Sequence, residues 1–125
     1  MKVLIVANNA YLRGNGVCTA VQSLKSRLLR EGVQVRLLAC ENPDREGPQP
    51  DYPLIHFRIP IFEHLIESNG YMFTRLDKKV IREAVGWADV VHLMEGFPLE
   101  SAAVRIAEES GKPCVGTYHI FTENI

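Results

Sequence analysis

The chain has 125 residues, 46% hydrophobic and 23% charged, with a formal net charge of -1. That length suits one domain with one core, and the composition excludes a disordered or fibrous chain. A near-neutral balance gives no basic excess for coating phosphates, so nucleic acid is not expected as a partner.

Residues 2–7 are a continuous aliphatic run without polar alternation, the pattern of a strand covered on both faces in a parallel sheet. The run is too short for a signal-peptide core and has no small-residue cleavage site. A polar, glycine-containing stretch, 8–16, leads to a helix over 17–30, where Val17, Val21, Leu24 and Leu28 recur at helical spacing until Gly32 stops it. Residues 33–39 form a second apolar strand. Strand, glycine loop, helix and strand in this order make a βαβ unit with a right-handed crossover.

Four prolines and a glycine among charged residues make 41–53 an exposed loop. A third strand is expected over 54–59, ended by Pro60, and 61–73 reads as irregular or briefly helical. A helix over 75–86 carries Leu76, Val80 and Ala84 on one stripe, and a fourth strand covers 89–94. A helix over 98–110, closed by Gly111, and a fifth strand over 113–118 complete the series. The fold class is therefore α/β: a Rossmann-like, three-layer parallel sheet of about five strands with helices on both faces. Because the chain ends at Ile125, where a doubly wound sheet would send out another helix, a carboxy-terminal continuation is expected. No apolar stretch approaches the roughly 20 residues that span a bilayer, and a cytoplasmic location is expected.

Cys18, Cys40 and Cys114 are odd in number and widely spaced, without a CxxC pair, and read as buried reduced thiols. His56 and His64 have no acidic or histidine partner at ligand spacing, so no metal site is expected. In the first βα loop, Gly16 lets backbone approach an anion, and the N-terminus of the following helix offers N–H groups and partial positive charge to a phosphate. The third glycine of a GxGxxG fingerprint is replaced by Thr19, which argues against a dinucleotide site. A plain turn remains the other reading of this loop.

His119 follows the fifth strand at the same sheet edge, where an imidazole can transfer a proton or hydrogen-bond a hydroxyl; a structural histidine is the alternative. His92 lies inside the fourth strand and reads as hydrogen-bonded in the core or near the sheet end, whereas Glu95, just past that strand, is better placed for a ligand. Arg75, Lys78, Lys79 and Arg82 stand at i, i+3, i+4 and i+7 on one helix face, either solvated or resting on anionic lipid headgroups.

Three segments, MKVLIVANNAYLRGNGVCTAVQSL, ADVVHLMEGFP and GKPCVGTYHIFTENI, resemble in order and spacing the amino-terminal domain of family 4 glycosyltransferases of the GT-B fold, most of all those that add hexoses to membrane lipids. The resemblance covers nearly the whole chain. It implies that residues 1–125 are the acceptor-side domain of a two-domain enzyme, truncated, with the carboxy-terminal donor-binding domain absent and the isolated chain inactive. By the same resemblance Gly16, with Asn15 where the family has a second glycine, approaches the donor phosphates. His119 stands close to the transferred sugar, orienting it or carrying a proton, and Glu95 and Thr122 stand on the acceptor side. The second family histidine is Met94 here, and no role passes to it.

The implied reaction moves a hexose from a nucleotide-sugar donor to a lipid or glycan hydroxyl, with no cofactor beyond the donor as co-substrate and peripheral membrane contact as an open reading. Self-association of the isolated domain through an exposed apolar face is a further expectation. Two other readings stand beside it: a non-catalytic flavodoxin-like module binding a phosphate effector, and a sugar-nucleotide epimerase of GT-B architecture.

Overall fold

In the computed structural model the described residues are 1–11, 16–55 and 75–117. Five strands, β1 (Lys2–Val6), β2 (Gln34–Cys40), β3 (Tyr52–Leu54), β4 (Val90–Leu93) and β5 (Cys114–Gly116), form one all-parallel sheet in the order β3-β2-β1-β4-β5. Among the described residues three helices cover it: α1 (Val17–Arg30), α2 (Lys78–Trp87) and α3 (Pro98–Glu109).

The unbroken apolar run of β1 is explained by its central place. Leu4 and Val6 join Leu38, Leu54, Val91 and Leu93 in a core against α2 and α3, while Ile5 and Ala7 join Leu37, Ala39 and Met94 in a second core against Val17 and Val21 of α1. With successive side chains pointing to opposite faces, every residue of a doubly covered strand must be apolar. This is the Rossmann-like three-layer arrangement expected from the sequence.

α1 ends where Gly32 adopts φ 79° and the Val33 amide donates to the Leu28 carbonyl, a left-handed termination that glycine makes without steric cost. At the N-terminal edge of the sheet, the Arg36 guanidinium lies 4.4 Å from the ring centroid of Trp87 and donates to the Tyr52 hydroxyl at 2.7 Å. Lys2 approaches the same indole at 5.9 Å, and its backbone amide donates to Asp89. The last turn of α2 is thereby tied to three strands at the edge away from the strand carboxyl ends.

Two element starts differ from expectation by two residues or more. β3 begins two residues earlier, at Tyr52, because Asp51 accepts the Leu37 amide and starts the pairing ahead of Pro53; as an edge strand, β3 tolerates a residue that cannot donate. β3 ends at Leu54, with Ile55 already outside it, and the remainder of the expected third strand, 56–59, and the segment 61–73 lie outside the described residues. α2 starts at Lys78, not at residue 75, because the Asp77 carboxylate accepts the Lys79 and Val80 amides and caps it. Arg75 and Leu76 precede the helix, so the basic helical face consists of Lys78, Lys79 and Arg82, all exposed, and the buried stripe is Ile81, Ala84 and Val85.

The cysteines also depart from expectation. All three are free thiols, but only Cys40 is buried; Cys18 is half-buried and Cys114 is exposed. Cys114 belongs to β5, an edge strand whose three residues are all exposed. The loop between β2 and β3 is polar, as its prolines suggest, and is held by its own side chains: Asn42 donates to the Pro48 carbonyl at 2.9 Å and receives Gln49 on its own carbonyl at 3.2 Å.

Candidate functional site

In a parallel sheet with helical crossovers, the strand carboxyl ends and the helix N-termini collect at one edge. The chain runs outward from β1 to β3, then returns to the other side of β1 with β4, so the direction reverses between β1 and β4. Such a switch point leaves a crevice at the carboxyl ends, where ligands of open α/β sheets bind. The Ala7 amide donates to Leu38, Met94 to Val6 and Thr117 to Leu93, which sets the ends of β2, β1, β4 and β5 side by side.

The residues just past β1 and β4 meet there. The Asn9 backbone N–H donates to Glu95 Oε2 at 2.9 Å, and Asn9 Nδ2 donates to Oε1 at 3.0 Å. Asn8 Nδ2 donates to Asn9 Oδ1 at 3.3 Å, completing a short chain of polar contacts. All three residues are buried, with Glu95 only 3% exposed. Burial raises the Glu95 carboxyl above its usual range, and the two Asn9 hydrogen bonds, which favour the ionised form, act against that rise.

Glu100, in the first turn of α3, is the other carboxyl at this edge. It is 2% exposed and no side chain pairs with it; neither oxygen meets hydrogen-bond geometry, and the backbone amides of Asn8 and of Glu100 itself only weakly favour its ionised form. Burial first, and the negative charge of Glu95 second, push it up to about 8.

Gly16 opens α1 with φ 77°, a left-handed conformation, and contributes no side-chain cap to the helix. An added Cβ there would meet nothing within 4 Å, so glycine is favoured by the backbone angle and not by crowding. The helix N-terminus at this edge has the polarity that favours an anion. His92 Nε2 lies 2.7 Å from Thr117 Oγ1, bridging β4 and β5 at the same edge, and burial lowers the imidazole pKa. The expectation of a hydrogen-bonded histidine near the sheet end holds for this residue.

Of the sequence-derived site residues, Glu95 and Gly16 belong to this edge, whereas Asn15, His119 and Thr122 lie outside the described residues, as do His56 and His64. Lys78, Lys79 and Arg82 are on α2, whose N-terminus also faces the carboxyl ends. Three residues of the cluster were not singled out from the sequence: Asn8, Asn9 and Glu100. The spacing held a signal for the last, since Glu100, Ala103 and Ala107 recur at i, i+3 and i+7 on the buried face of α3. Among the described residues, no group of three or more His, Cys, Asp and Glu side chains is placed to hold a metal ion. No helix among them is long and apolar enough to cross a membrane.

Comparison with protein families matches residues 14–124 to the family described as Glycosyltransferase Family 4. A search of the curated proteins returned no match. The matched span begins in the loop before α1 and runs through β5, taking in Gly16, Glu95 and Glu100. Because that match spans nearly the whole chain, with the parallel sheet such a domain requires, the chain belongs to glycosyltransferase family 4.

Proposed function

We propose that the chain is the acceptor-side domain of a two-domain, GT-B-type enzyme that moves a hexose from a nucleotide-sugar donor to the hydroxyl of a lipid or glycan. A glycosyltransferase brings a sugar donor and an acceptor together, and the family match supports that much. One observation carries the finer reading: the left-handed Gly16, opening α1 beside the β1–β4 switch point, leaves a helix N-terminus suited to a donor diphosphate.

In this reading Asn15 and Gly16 approach the donor phosphates, where positioned N–H groups stabilise charge developing on the leaving diphosphate. His119 stands by the transferred sugar, and Glu95 and Thr122 stand toward the acceptor. Glu95 acts mainly by holding the loop after β1, since both of its oxygens are taken by Asn9. The donor serves as co-substrate, and no further cofactor enters the reaction.

The test is sugar transfer by the full-length gene product, assayed with a panel of nucleotide-sugars against lipid and glycan acceptors. His119→Ala is expected to lower turnover about tenfold or more while the circular dichroism spectrum is kept, as for the loss of a proton-transferring or substrate-orienting group. Unchanged turnover removes His119 from the mechanism, and conversion of the nucleotide-sugar without an acceptor turns the assignment toward an epimerase.

A cytoplasmic enzyme acting on lipid acceptors would meet the inner face of the membrane, and exposed Lys78, Lys79 and Arg82 supply like charge on α2 for anionic headgroups. Charge reversal of Lys78 and Lys79 together should weaken vesicle binding at least tenfold, each basic residue near such a surface contributing about 1 kcal/mol. Equal binding of both proteins to vesicles containing anionic lipid would remove the membrane contact.

A further inference from the structure

The Asn9–Glu95 pair accounts for one buried carboxyl at the switch-point edge and leaves the other without a side-chain partner. Glu100 sits in the turn that begins with Pro98 at the first helical position, and the preceding Phe97 supplies no side-chain cap. Leu99 on one side and Ala103 and Ala107 below it hold this turn in the core against β1 and β4, so the Glu100 side chain stays out of water while the helix is seated. An ionised carboxylate left in such a place without a partner is strongly unfavourable, and the group either keeps its proton or leaves.

We propose that Glu100 is a proton-linked latch between α3 and the ends of β1 and β4: with a neutral carboxyl the first turn of α3 stays seated, and on ionisation that turn and the loop 8–10 part. The latch rests on burial and contact geometry, and it does not depend on the sugar-transfer reading.

The groups around Glu100 are few. The loop after β4 presents Glu95, the charged residue whose negative charge disfavours a second one on Glu100. The loop after β1 presents Asn8, whose backbone amide favours the ionised form, as does that of Glu100 itself, without overcoming burial. His92, on β4, is engaged with Thr117. The charged residues of α2 (Lys78, Lys79, Arg82 and Glu83) and the remaining ones of α3 (Arg105, Glu108 and Glu109) are all exposed.

The direction of the pH effect follows from these surroundings. The folded carboxyl titrates at about 8 against an ordinary 4.5, so between those values the folded state holds a proton that the unfolded state has released. The stabilising contribution is therefore complete below about 4.5 and is lost as pH rises through about 8. The last part of that loss falls in the neutral to mildly alkaline range, where the switch-point loop would loosen.

The experiment is amide hydrogen exchange of the 125-residue chain, wild type and Glu100→Gln, from about pH 6 to pH 9.5, corrected for base-catalysed exchange. The wild type should show exchange of residues 8–10 and of the first turn of α3 rising roughly tenfold or more, with a midpoint near 8. Glu100→Gln, which cannot ionise, should show no such rise. A wild type without the transition, or a variant with the same midpoint, overturns the latch. Carbon-13 titration of the wild-type glutamate carboxyls decides the matter if the variant does not fold. A carboxyl titrating near 8 supports the latch, and all of them titrating below about 6 overturn it.

Discussion

Replacing Glu95 with alanine is expected to lower the unfolding free energy by about 3 kcal/mol, to be read from urea denaturation at pH 7. The size follows from what remains rather than from what is removed. Asn9 keeps a backbone N–H and a side-chain amide in a buried place, both of which had donated to the lost carboxylate at 2.9 and 3.0 Å. Taking the acceptor from a buried donor costs about 1–3 kcal/mol, and here two donors lose the same carboxylate. The variant has a second, opposing consequence. The Glu95 charge is one of the causes that raise Glu100, so removing it moves the Glu100 titration downward and returns a little of the lost stability at neutral pH. A loss below about 1 kcal/mol would mean that water takes the place of the carboxylate and that the pair does not hold the β1 loop.

Leu4→Ala has an effect of similar size and a different origin. Leu4 is fully buried in the central strand, within the core shared by α2 and α3. Truncation removes buried methyl groups and leaves a cavity that the flanking strands cannot close without breaking their pairing, for a loss of about 3 kcal/mol. Leu29→Ala is the control: at 52% exposure its side chain is largely in water, and the change should stay within about 1 kcal/mol. Comparable losses for the two variants would contradict the assignment of β1 to the middle of the sheet.

The two substitutions probe different levels of organisation. Leu4 reports on the three-layer core that any doubly wound sheet requires. Glu95 reports on a single contact between residues 86 positions apart, which ties the loop after β1 to the end of β4.

Local signals in the sequence were sufficient for most of the elements. The apolar run of residues 2–7 could only be a doubly covered strand, helical spacing from Val17 to Leu28 required α1, and Gly32 and Gly111, both with positive φ, stopped the helices that precede them. These features depend on interactions within a few residues, which is why periodicity and turn chemistry report them. The start of α2 is also a local matter: the Asp77 cap sets it at Lys78, a signal that the spacing of the basic residues from Arg75 onward does not contain.

The remaining features depend on which distant segments become neighbours. β3 starts at Tyr52 because Asp51 reaches the β2 amide of Leu37, and no pattern within residues 41–53 announces that register. Glu95 was marked from the sequence as open to a ligand, yet its closure onto Asn9 depends on β4 inserting beside β1 after an excursion of more than eighty residues. Nothing local sets Glu100 apart from other polar residues at a helix start; only the packing of α3 against two strand ends deprives it of water and of a side-chain partner. A parallel α/β sheet with a glycine-opened first helix is legible in the order of the residues, because backbone propensity and hydrophobic period are written residue by residue. Which polar groups at the sheet edge are paired and which are left to hold a proton follows from the packing, because desolvation is set by neighbours far away in the chain.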